Sequence, residues 1–272
     1  MTYILKTWLL LSICLSFTNA SSSHYQIREV ISERFNHRLF DVILNKNVSQ
    51  GKVDYQSIKK SPQKLLKYLA KIAKADLSSF SRNQKLAFYI NAYNAYTIKA
   101  VIDHYPIKVT TRKAPTNSIR QISGVWDRLR FKVAGKKLTL NDIEHKYVRK
   151  FKDGRVHLAM VCGAVSCPDL PNFAFEANKL DAQLDSRVSL FMKQVHKFHF
   201  CADCSDLKIS KIFEWFPNDF RKFAKKRTRK YGKMSGVIEF FIQYMSEKAK
   251  KNLLKRQPRI QFLPYDWKLN DQ

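Results

Sequence analysis

A cysteine ends an apolar run near the middle of the chain, in the segment 155–170. The run from Val156 to Val161 predicts a buried strand, because short apolar runs bounded by turn residues are typical of strands. Cys162 follows it directly. As a thiolate it could attack a carbonyl carbon, and Gly163 would let backbone amides approach the developing oxyanion. The pattern therefore predicts thiol-dependent hydrolysis or acyl transfer on an amide-type bond.

A second cysteine, Cys167, lies in the same loop and precedes Pro168. It could pack as a small apolar side chain or pair with Cys162. Cys162 is the better candidate for the nucleophile, because reactive side chains are often placed on loops at the ends of strands.

A thiol nucleophile needs a base, and two histidines precede the cysteine loop. Residues of opposite parity point to opposite faces of a strand, and five strand residues span about 16 Å, so His157 would lie far from Cys162. His145 on a predicted helix is therefore our first choice as the base, with His157 in a supporting position. Asp142, about one turn before His145, or Asp266 near the C-terminus would orient the imidazole.

Two amides lie on the most apolar predicted helix. The helix is expected to begin at Ser81, whose spacing to Gln84 resembles a capping box, and to end at about Tyr105, where a proline follows. Asn91 and Asn94 are one turn apart and share a face. Because buried amides need partners, they are expected either to hold a neighbouring loop or to orient a catalytic base.

The other two cysteines of the second half form a CxxC pair, Cys201 and Cys204, within a hairpin predicted over 198–209. In an oxidising compartment a local disulfide at the hairpin tip is the preferred interpretation. A redox-active pair or half of a zinc site are the alternatives.

A metal site is the second chemical hypothesis, since His157, Cys162 and Cys167 together with the CxxC pair supply enough soft ligands. Their H-x4-C-x4-C spacing is unlike a compact zinc knuckle. We therefore expect no metal and no cofactor.

The first twenty residues predict a secretory signal peptide. Lys6 precedes a short apolar stretch over 8–17, and small residues at 18–20 offer a cleavage point. No later stretch is long enough to predict a transmembrane segment. We expect an exported protein, periplasmic or secreted, with one domain over 21–272 that begins with a helical extension over 21–50.

The formal charge of +28 favours anionic partners such as envelope polymers. Basic residues are densest over 221–233 and 248–259, and no specific nucleic-acid motif is present. A third hypothesis is thus a non-catalytic module that binds anionic envelope polymers.

The remaining predicted elements follow from periodicity and from Pro and Gly boundaries. Helices are expected over 25–44, 62–72, 142–151, 174–194 and 237–249, with a small hairpin over 130–140 and a last strand over 259–263.

Several separated motifs resemble domain-of-unknown-function family 547. They are Leu86–Ala95, Ile143–His145 with Arg149, Arg155–Gly163, Ser166–Pro168 and the closing Tyr265–Asn270. The resemblance covers roughly Val53 to the C-terminus, and exported bacterial members are common in that family.

The resemblance implies an α+β fold, in a papain-like or transglutaminase-like arrangement of helices packed on a small, mostly antiparallel sheet. It implies Cys162 as the nucleophile and His145 as the base, with Asn91, Asn94 and Asp266 as supporting residues. A peptide, a wall peptide or a small thiol peptide would be the substrate. If His145 serves, the usual order of cysteine before histidine is reversed, which requires a permuted arrangement.

Overall fold

A computed structural model describes residues 35–201 and 206–272. The predicted signal peptide, the first half of the helix predicted over 25–44, and Cys204 lie outside the described residues. Within them, residues 37–272 make up one unit by the density of their contacts. The first described helix begins at Arg38.

Eight α-helices occur in the described residues, and short π- and 3-10 segments connect several of them. The α-helices are α1 (Arg38–Asn47), α2 (Tyr55–Lys60), α3 (Gln63–Lys74), α4 (Arg82–His104), α5 (Leu180–Lys193), α6 (Ile212–Trp215), α7 (Ser235–Ile242) and α8 (Glu247–Arg256).

The strands form three small sheets. Two antiparallel hairpins are made by β1 (Val48–Ser49) with β2 (Lys52–Val53) and by β3 (Phe131–Val133) with β4 (Lys136–Leu138). The third sheet joins β5 (Phe198–Phe200), β6 (Asp206–Ser210) and β7 (Arg259–Leu263); β6 is antiparallel to β5 and parallel to β7. Helices with small sheets confirm the predicted α+β class, and the predicted hairpins and last strand are present.

Helix α4 is the central element of the first half of the fold. Ser81 accepts a hydrogen bond from the N–H of Gln84, whose side chain bonds back to the N–H of Ser81, so the predicted capping box is confirmed. Buried residues run around most of its circumference between Leu86 and Ile102. A helix that is apolar nearly all round must be enclosed by other elements.

The predicted central strand before Cys162 is wrong. Residues Gly154–Leu158 form a 3-10 helix, whose start is capped by Asp153 Oδ1 accepting from the N–H of Arg155. The apolar run is buried as predicted, but no strand among the described residues pairs with it. Backbone groups beyond the 3-10 helix are instead satisfied by a side chain of α4, so an apolar run here did not require a sheet.

The predicted helix over 142–151 is present with a different pitch. Asp142–Val148 is a π-helix, and Arg149–Phe151 continues it as a 3-10 turn. A π-helix has more residues per turn than an α-helix, so residues three apart no longer share a face. This change decides which side chains meet His145.

A second cluster of buried side chains fills the C-terminal half, between the three-stranded sheet and helices α5 to α8. It is mostly aromatic and aliphatic, and includes Phe191, Phe213, Phe220, Phe240, Phe241 and Leu253. In the described part of the chain, no helix combines the length and the hydrophobicity that crossing a membrane requires.

Candidate active site

A cavity of about 200 Å³ lies where the cysteine loop, the π-helix and the C-terminal tail meet. Cys162, Cys167, His145 and His157 all line it, so both candidate histidines share one cavity with both loop cysteines. The other lining residues are Tyr93, Trp126, Asn141, Glu144, Met160, Pro168, Ile212, Trp215, Phe216, Tyr265 and Trp267.

Cys162 and Cys167 form a disulfide, with their Cα atoms 6.2 Å apart. Cys162 is half-buried, whereas Cys167 is only 3% exposed. The N–H of Cys162 donates a hydrogen bond to Cys167 Sγ at 3.0 Å. The structure thus shows the oxidised form of the pair, in which the candidate nucleophile is bonded to its loop neighbour.

The C-terminal tail fixes the cysteine loop. The N–H of Val165 donates to the carbonyl of Lys268 at 2.8 Å, and the N–H of Asn270 donates to the carbonyl of Gly163 at 2.9 Å. Gly163 has a φ of 83°, a left-handed conformation that favours glycine. The closing motif and the cysteine motif are therefore one structural unit, although about 100 residues separate them in sequence.

Asn94 holds the backbone just before Cys162. Its side-chain amide donates to the carbonyl of Ala159 at 2.9 Å and accepts from the N–H of Val161 at 2.8 Å. The side-chain amide therefore makes the two backbone hydrogen bonds that a neighbouring strand would otherwise make. Asn94 holds a loop, which is one of its two predicted roles, and makes no contact with either histidine of the cavity.

Asn91 does the same for another segment. It donates to the carbonyl of Phe175 at 2.8 Å and accepts from its N–H at 3.0 Å, ahead of helix α5. Both amides are buried, and both are fully used in positioning the backbone.

His157 is buried against a carboxylate that the sequence did not indicate. Its Nε2 lies 2.7 Å from Asp219 Oδ2, and its ring stacks on Phe216 with centroids 4.6 Å apart. The hydrogen bond places the proton on Nε2 and leaves the Nδ1 lone pair free. No described residue is hydrogen-bonded to Nδ1, and His157 is among the residues that line the cavity.

Asp219 is held as an anion. Burial alone would raise the pKa of its carboxyl group, but hydrogen bonds from His157 and Arg149 lower the pKa well below the ordinary value. Arg149 binds both carboxylate oxygens, through Nε at 2.6 Å and Nη2 at 2.8 Å. A forked pair of this kind fixes the orientation of the carboxylate toward the imidazole.

His145 belongs to the same network through another contact. Arg149 Nη1 donates to His145 Nδ1 at 2.6 Å, and the side chain of His145 is exposed at the cavity. With Nδ1 occupied as an acceptor, the neutral ring carries its proton on Nε2. In this arrangement His145 presents a hydrogen-bond donor rather than a free lone pair.

The two acids expected to orient His145 do not contact it. Asp142 accepts from the N–H of Thr139 at 3.0 Å and pairs with Lys146 at 2.7 Å, contacts that lower its pKa to about 2. The π-helical pitch turns it away from His145. Asp266 accepts from the N–H of Lys268, and its own N–H donates to Ser166 Oγ, so it shapes the tail.

Aromatic side chains form one wall of the cavity. The ring of Trp215 packs on Tyr265 and Trp267 with centroids 4.9 and 5.9 Å apart, and Trp126 meets Trp267 edge-on. The Tyr265 hydroxyl lies 3.3 Å from Cys167 Sγ and 3.5 Å from Cys162 Sγ. Burial raises the pKa of Tyr265 well above its ordinary value, so the hydroxyl remains a donor.

The residues that the sequence missed are Asp219, Tyr265 as a partner of the sulfurs, and the aromatic wall. No spacing rule links Asp219 to His157 across 62 residues. The closing segment that carries Tyr265 was singled out by resemblance, but nothing in the sequence indicated its contact with the cysteines.

The CxxC pair is only partly described. Cys201 is in a disulfide, and its predicted partner Cys204 lies outside the described residues. Across residues 35–201 and 206–272, no group of three or more His, Cys, Asp or Glu side chains is arranged to hold a metal ion.

The comparison with protein families agrees with the motifs that lie between residues 77 and 192. Residues 77–192 match the family model described as "Protein of unknown function, DUF547". No match was found among the curated proteins or among the solved structures. The matched segment contains helix α4, both cavity histidines and the Cys162–Cys167 loop, and over this segment the chain is similar to the DUF547 family.

Proposed function

We propose that the cavity is the active site of a thiol-dependent hydrolase or acyl transferase, active when the Cys162–Cys167 bond is reduced. One observation carries the proposal: Cys162 lines the same cavity as His157, whose far nitrogen is held by the anionic Asp219. Nucleophilic catalysis needs a nucleophile and a base in one cleft, with an acid that orients the base from its other side.

The reaction follows from these positions. The Nδ1 of His157 takes the proton of the reduced Cys162 thiol, and the thiolate attacks the carbonyl carbon of the substrate. The imidazolium then gives its proton to the leaving amine or alcohol, which leaves an acyl group on Cys162. Water or an acceptor attacks this thioester, its proton passes to His157, and Cys162 is released.

Asp219 stabilises the imidazolium form of His157 and fixes the orientation of its ring, because it accepts a hydrogen bond from Nε2 while Nδ1 acts as the base. His145, which the sequence favoured as the base, is assigned another task. Its Nε2–H is suited to donate a hydrogen bond to the substrate, because Arg149 occupies Nδ1.

The substrate class follows from the lining, which is largely aromatic and aliphatic with few polar groups. Such a surface suits an acyl or peptide group with an apolar side chain. A peptide, a wall peptide or a small thiol peptide fits this chemistry. We also propose export of the protein and a papain-like or transglutaminase-like relationship, which the leader and the motifs suggest.

An acyl-transfer assay tests the proposal without knowledge of the natural substrate. The reduced protein is treated with p-nitrophenyl acetate, and the acyl adduct is located by mass spectrometry. We expect one acetyl group on Cys162, no such adduct in Cys162→Ser, and slow formation in His157→Asn. The matched control His104→Asn, on helix α4, should react as the wild type does.

Absence of acylation in the folded, reduced protein would refute the proposal. Equal acylation of Cys162→Ser and wild type would show that the reaction occurs at another residue, and would also refute it.

A second candidate function is binding of anionic envelope polymers, favoured by a cluster of exposed basic side chains. Lys225, Lys226 and Arg229 line a surface depression at one end of the C-terminal half. Such a surface attracts polyanions through salt-sensitive charge interactions and does not require Cys162.

A further inference from the structure

The two sulfur atoms of the cavity disulfide have different surroundings. Cys167 Sγ accepts hydrogen bonds from the N–H of Cys162 at 3.0 Å and from the Tyr265 hydroxyl at 3.3 Å. Both cysteines line the cavity, but Cys167 is almost fully buried, whereas Cys162 is half-buried. One sulfur is accessible to attack, and the other is prepared to carry negative charge.

We propose that the Cys162–Cys167 bond undergoes thiol–disulfide exchange with a low-molecular-weight thiol that enters the cavity, with Cys162 as the attacked sulfur and Cys167 as the leaving and resolving thiol. The exchange would switch the site between a blocked and an active form. That consequence rests on the proposed function, whereas the exchange itself does not.

The first step is a displacement at sulfur. The incoming thiolate attacks Cys162 Sγ in line with the disulfide, and a mixed disulfide forms on Cys162. The Cys162–Cys167 bond breaks, and its electron pair stays on Cys167 as a thiolate. The departing sulfur controls the rate, because a thiol that is stabilised as an anion leaves faster.

The second step completes the reduction. A second molecule of the same thiol loses its proton and attacks the outer sulfur of the mixed disulfide. Cys162 leaves as a thiolate, and the two small thiols are released as their own disulfide. Two thiols are oxidised and one disulfide is reduced, so electrons and protons balance. In the reverse direction Cys167 attacks the mixed disulfide and restores the blocked form.

Tyr265 is a positioning residue in this step, because it acts on Cys167 through a hydrogen bond. Its ring packs against both Trp215 and Trp267, with centroids 4.9 and 4.6 Å away, and this packing fixes the hydroxyl toward the sulfurs. It remains protonated at ordinary pH and can donate to the thiolate as it forms.

The size of the cavity favours small thiols. About 200 Å³ beside the half-buried Cys162 admits the thiol-bearing end of a low-molecular-weight thiol such as glutathione. Cys167 is only 3% exposed, and the Tyr265 hydroxyl lies slightly closer to its sulfur than to that of Cys162, at 3.3 against 3.5 Å. The geometry therefore predicts a mixed disulfide on Cys162 and little on Cys167.

Mass spectrometry of mixed disulfides tests the inference without any substrate. The folded protein is incubated with glutathione and its disulfide, quenched by acid, and the modified cysteine is located in peptides. Cys167→Ser should accumulate a stable adduct on Cys162, because no resolving thiol remains. Cys162→Ser should form its adduct on Cys167 at least tenfold more slowly.

Tyr265→Phe tests the leaving-group role. We expect reduction of the bond by glutathione to slow about tenfold, while the secondary structure is unchanged by circular dichroism. The matched control is Tyr147→Phe, which removes a hydroxyl that accepts a hydrogen bond from Lys136 and lies away from the sulfurs. This variant should exchange as the wild type does.

Two results would overturn the inference: equal or greater modification of Cys167, and a bond that opens only after denaturation. The acyl-transfer assay tests the proposed function independently of the exchange. Normal exchange without acylation of the reduced protein would support the exchange and refute the hydrolase proposal. Acylation that proceeds equally in the absence of reductant would refute the switch.

Discussion

His157 Nε2 and Asp219 Oδ2 lie 2.7 Å apart, although the residues are 62 positions apart in sequence. The contact joins the 3-10 helix Gly154–Leu158 to the 3-10 helix Pro217–Phe223. Nδ1 of the imidazole has no hydrogen bond among the described residues, and His157 lines the same cavity as Cys162. The pairing of the proposed base with its proposed orienting acid is thus a tertiary contact between two short helical segments.

The first prediction concerns the dependence of stability on pH. The folded protein lowers the pKa of Asp219 below the unfolded value of about 3.9, so its ionised form stabilises the fold. Asp219→Asn should lower the free energy of unfolding by about 2 kcal/mol at pH 7. Because the stabilisation is lost as pH falls below about 4, the difference between wild type and variant should shrink there.

Urea unfolding at pH 7, 5, 4 and 3 measures this difference. The control Asp103→Asn removes one partner of an exposed pair with Lys99 and should cost less than about 0.5 kcal/mol at pH 7. A difference for Asp219→Asn that does not change between pH 7 and pH 3 would contradict the assigned contacts.

The second prediction concerns Asn94. Replacement by alanine removes two buried hydrogen bonds and leaves the carbonyl of Ala159 and the N–H of Val161 without partners. We expect a loss of about 2–4 kcal/mol in the free energy of unfolding. Chemical denaturation measures it, with Asn218→Ala as the control, because the Asn218 side chain is exposed and contacts only the surface residue Arg221. A loss for Asn94→Ala as small as that of the control would be inconsistent with its role.

The third prediction concerns the stability of the reduced protein. The cysteines are five positions apart, and closing such a short loop stabilises a fold by about 2 kcal/mol. The double variant Cys162→Ser/Cys167→Ser should therefore remain folded and lose about that amount in urea unfolding. An unfolded double variant would show that the bond is required for the fold, and a switch at this position would be impossible.

The fourth prediction concerns the basic surface. Reversal of three exposed charges should lower the salt concentration at which the protein elutes from a heparin column, because exposed charges act through screened interactions. The variant is Lys225→Glu/Lys226→Glu/Arg229→Glu, and the control of equal charge change is Lys64→Glu/Lys67→Glu/Lys74→Glu on helix α3. Equal shifts in both variants would indicate attraction by net charge, without a dedicated surface.

The sequence predicted those elements whose signals are local. The capping box at Ser81 defined the start of helix α4, and the apolar residues around that helix predicted its burial. The two amides on it were expected to need partners, and they bind backbone. Local hydrogen bonds and burial were enough for these predictions.

The predictions that failed depended on backbone geometry that neighbouring elements decide. The run before Cys162 has the composition of a strand, but Asn94 supplies the hydrogen bonds that a strand partner would have made. The i, i+3 relation between Asp142 and His145 assumed an α-helix, whereas the π-helical pitch aligns His145 with Arg149. Strand parity had made His157 a poor choice as the base and left it a supporting role, and that argument does not apply to a 3-10 helix.

The pairing of His157 with Asp219 could not be predicted from the sequence for a different reason. Many aspartates follow the cysteine loop, and none is marked by spacing to a histidine. Only the packing of Phe216 against His157 brings this carboxylate to the imidazole.

The rate at which Cys162 is alkylated by iodoacetamide in the folded, reduced protein at pH 6.5 tests the central claim most directly, since only the thiolate reacts. If His157 is the base, His157→Asn should slow the alkylation of Cys162 at least tenfold, while His145→Asn changes it less than threefold. Equal rates in wild type and His157→Asn, or a loss confined to His145→Asn, would contradict the account.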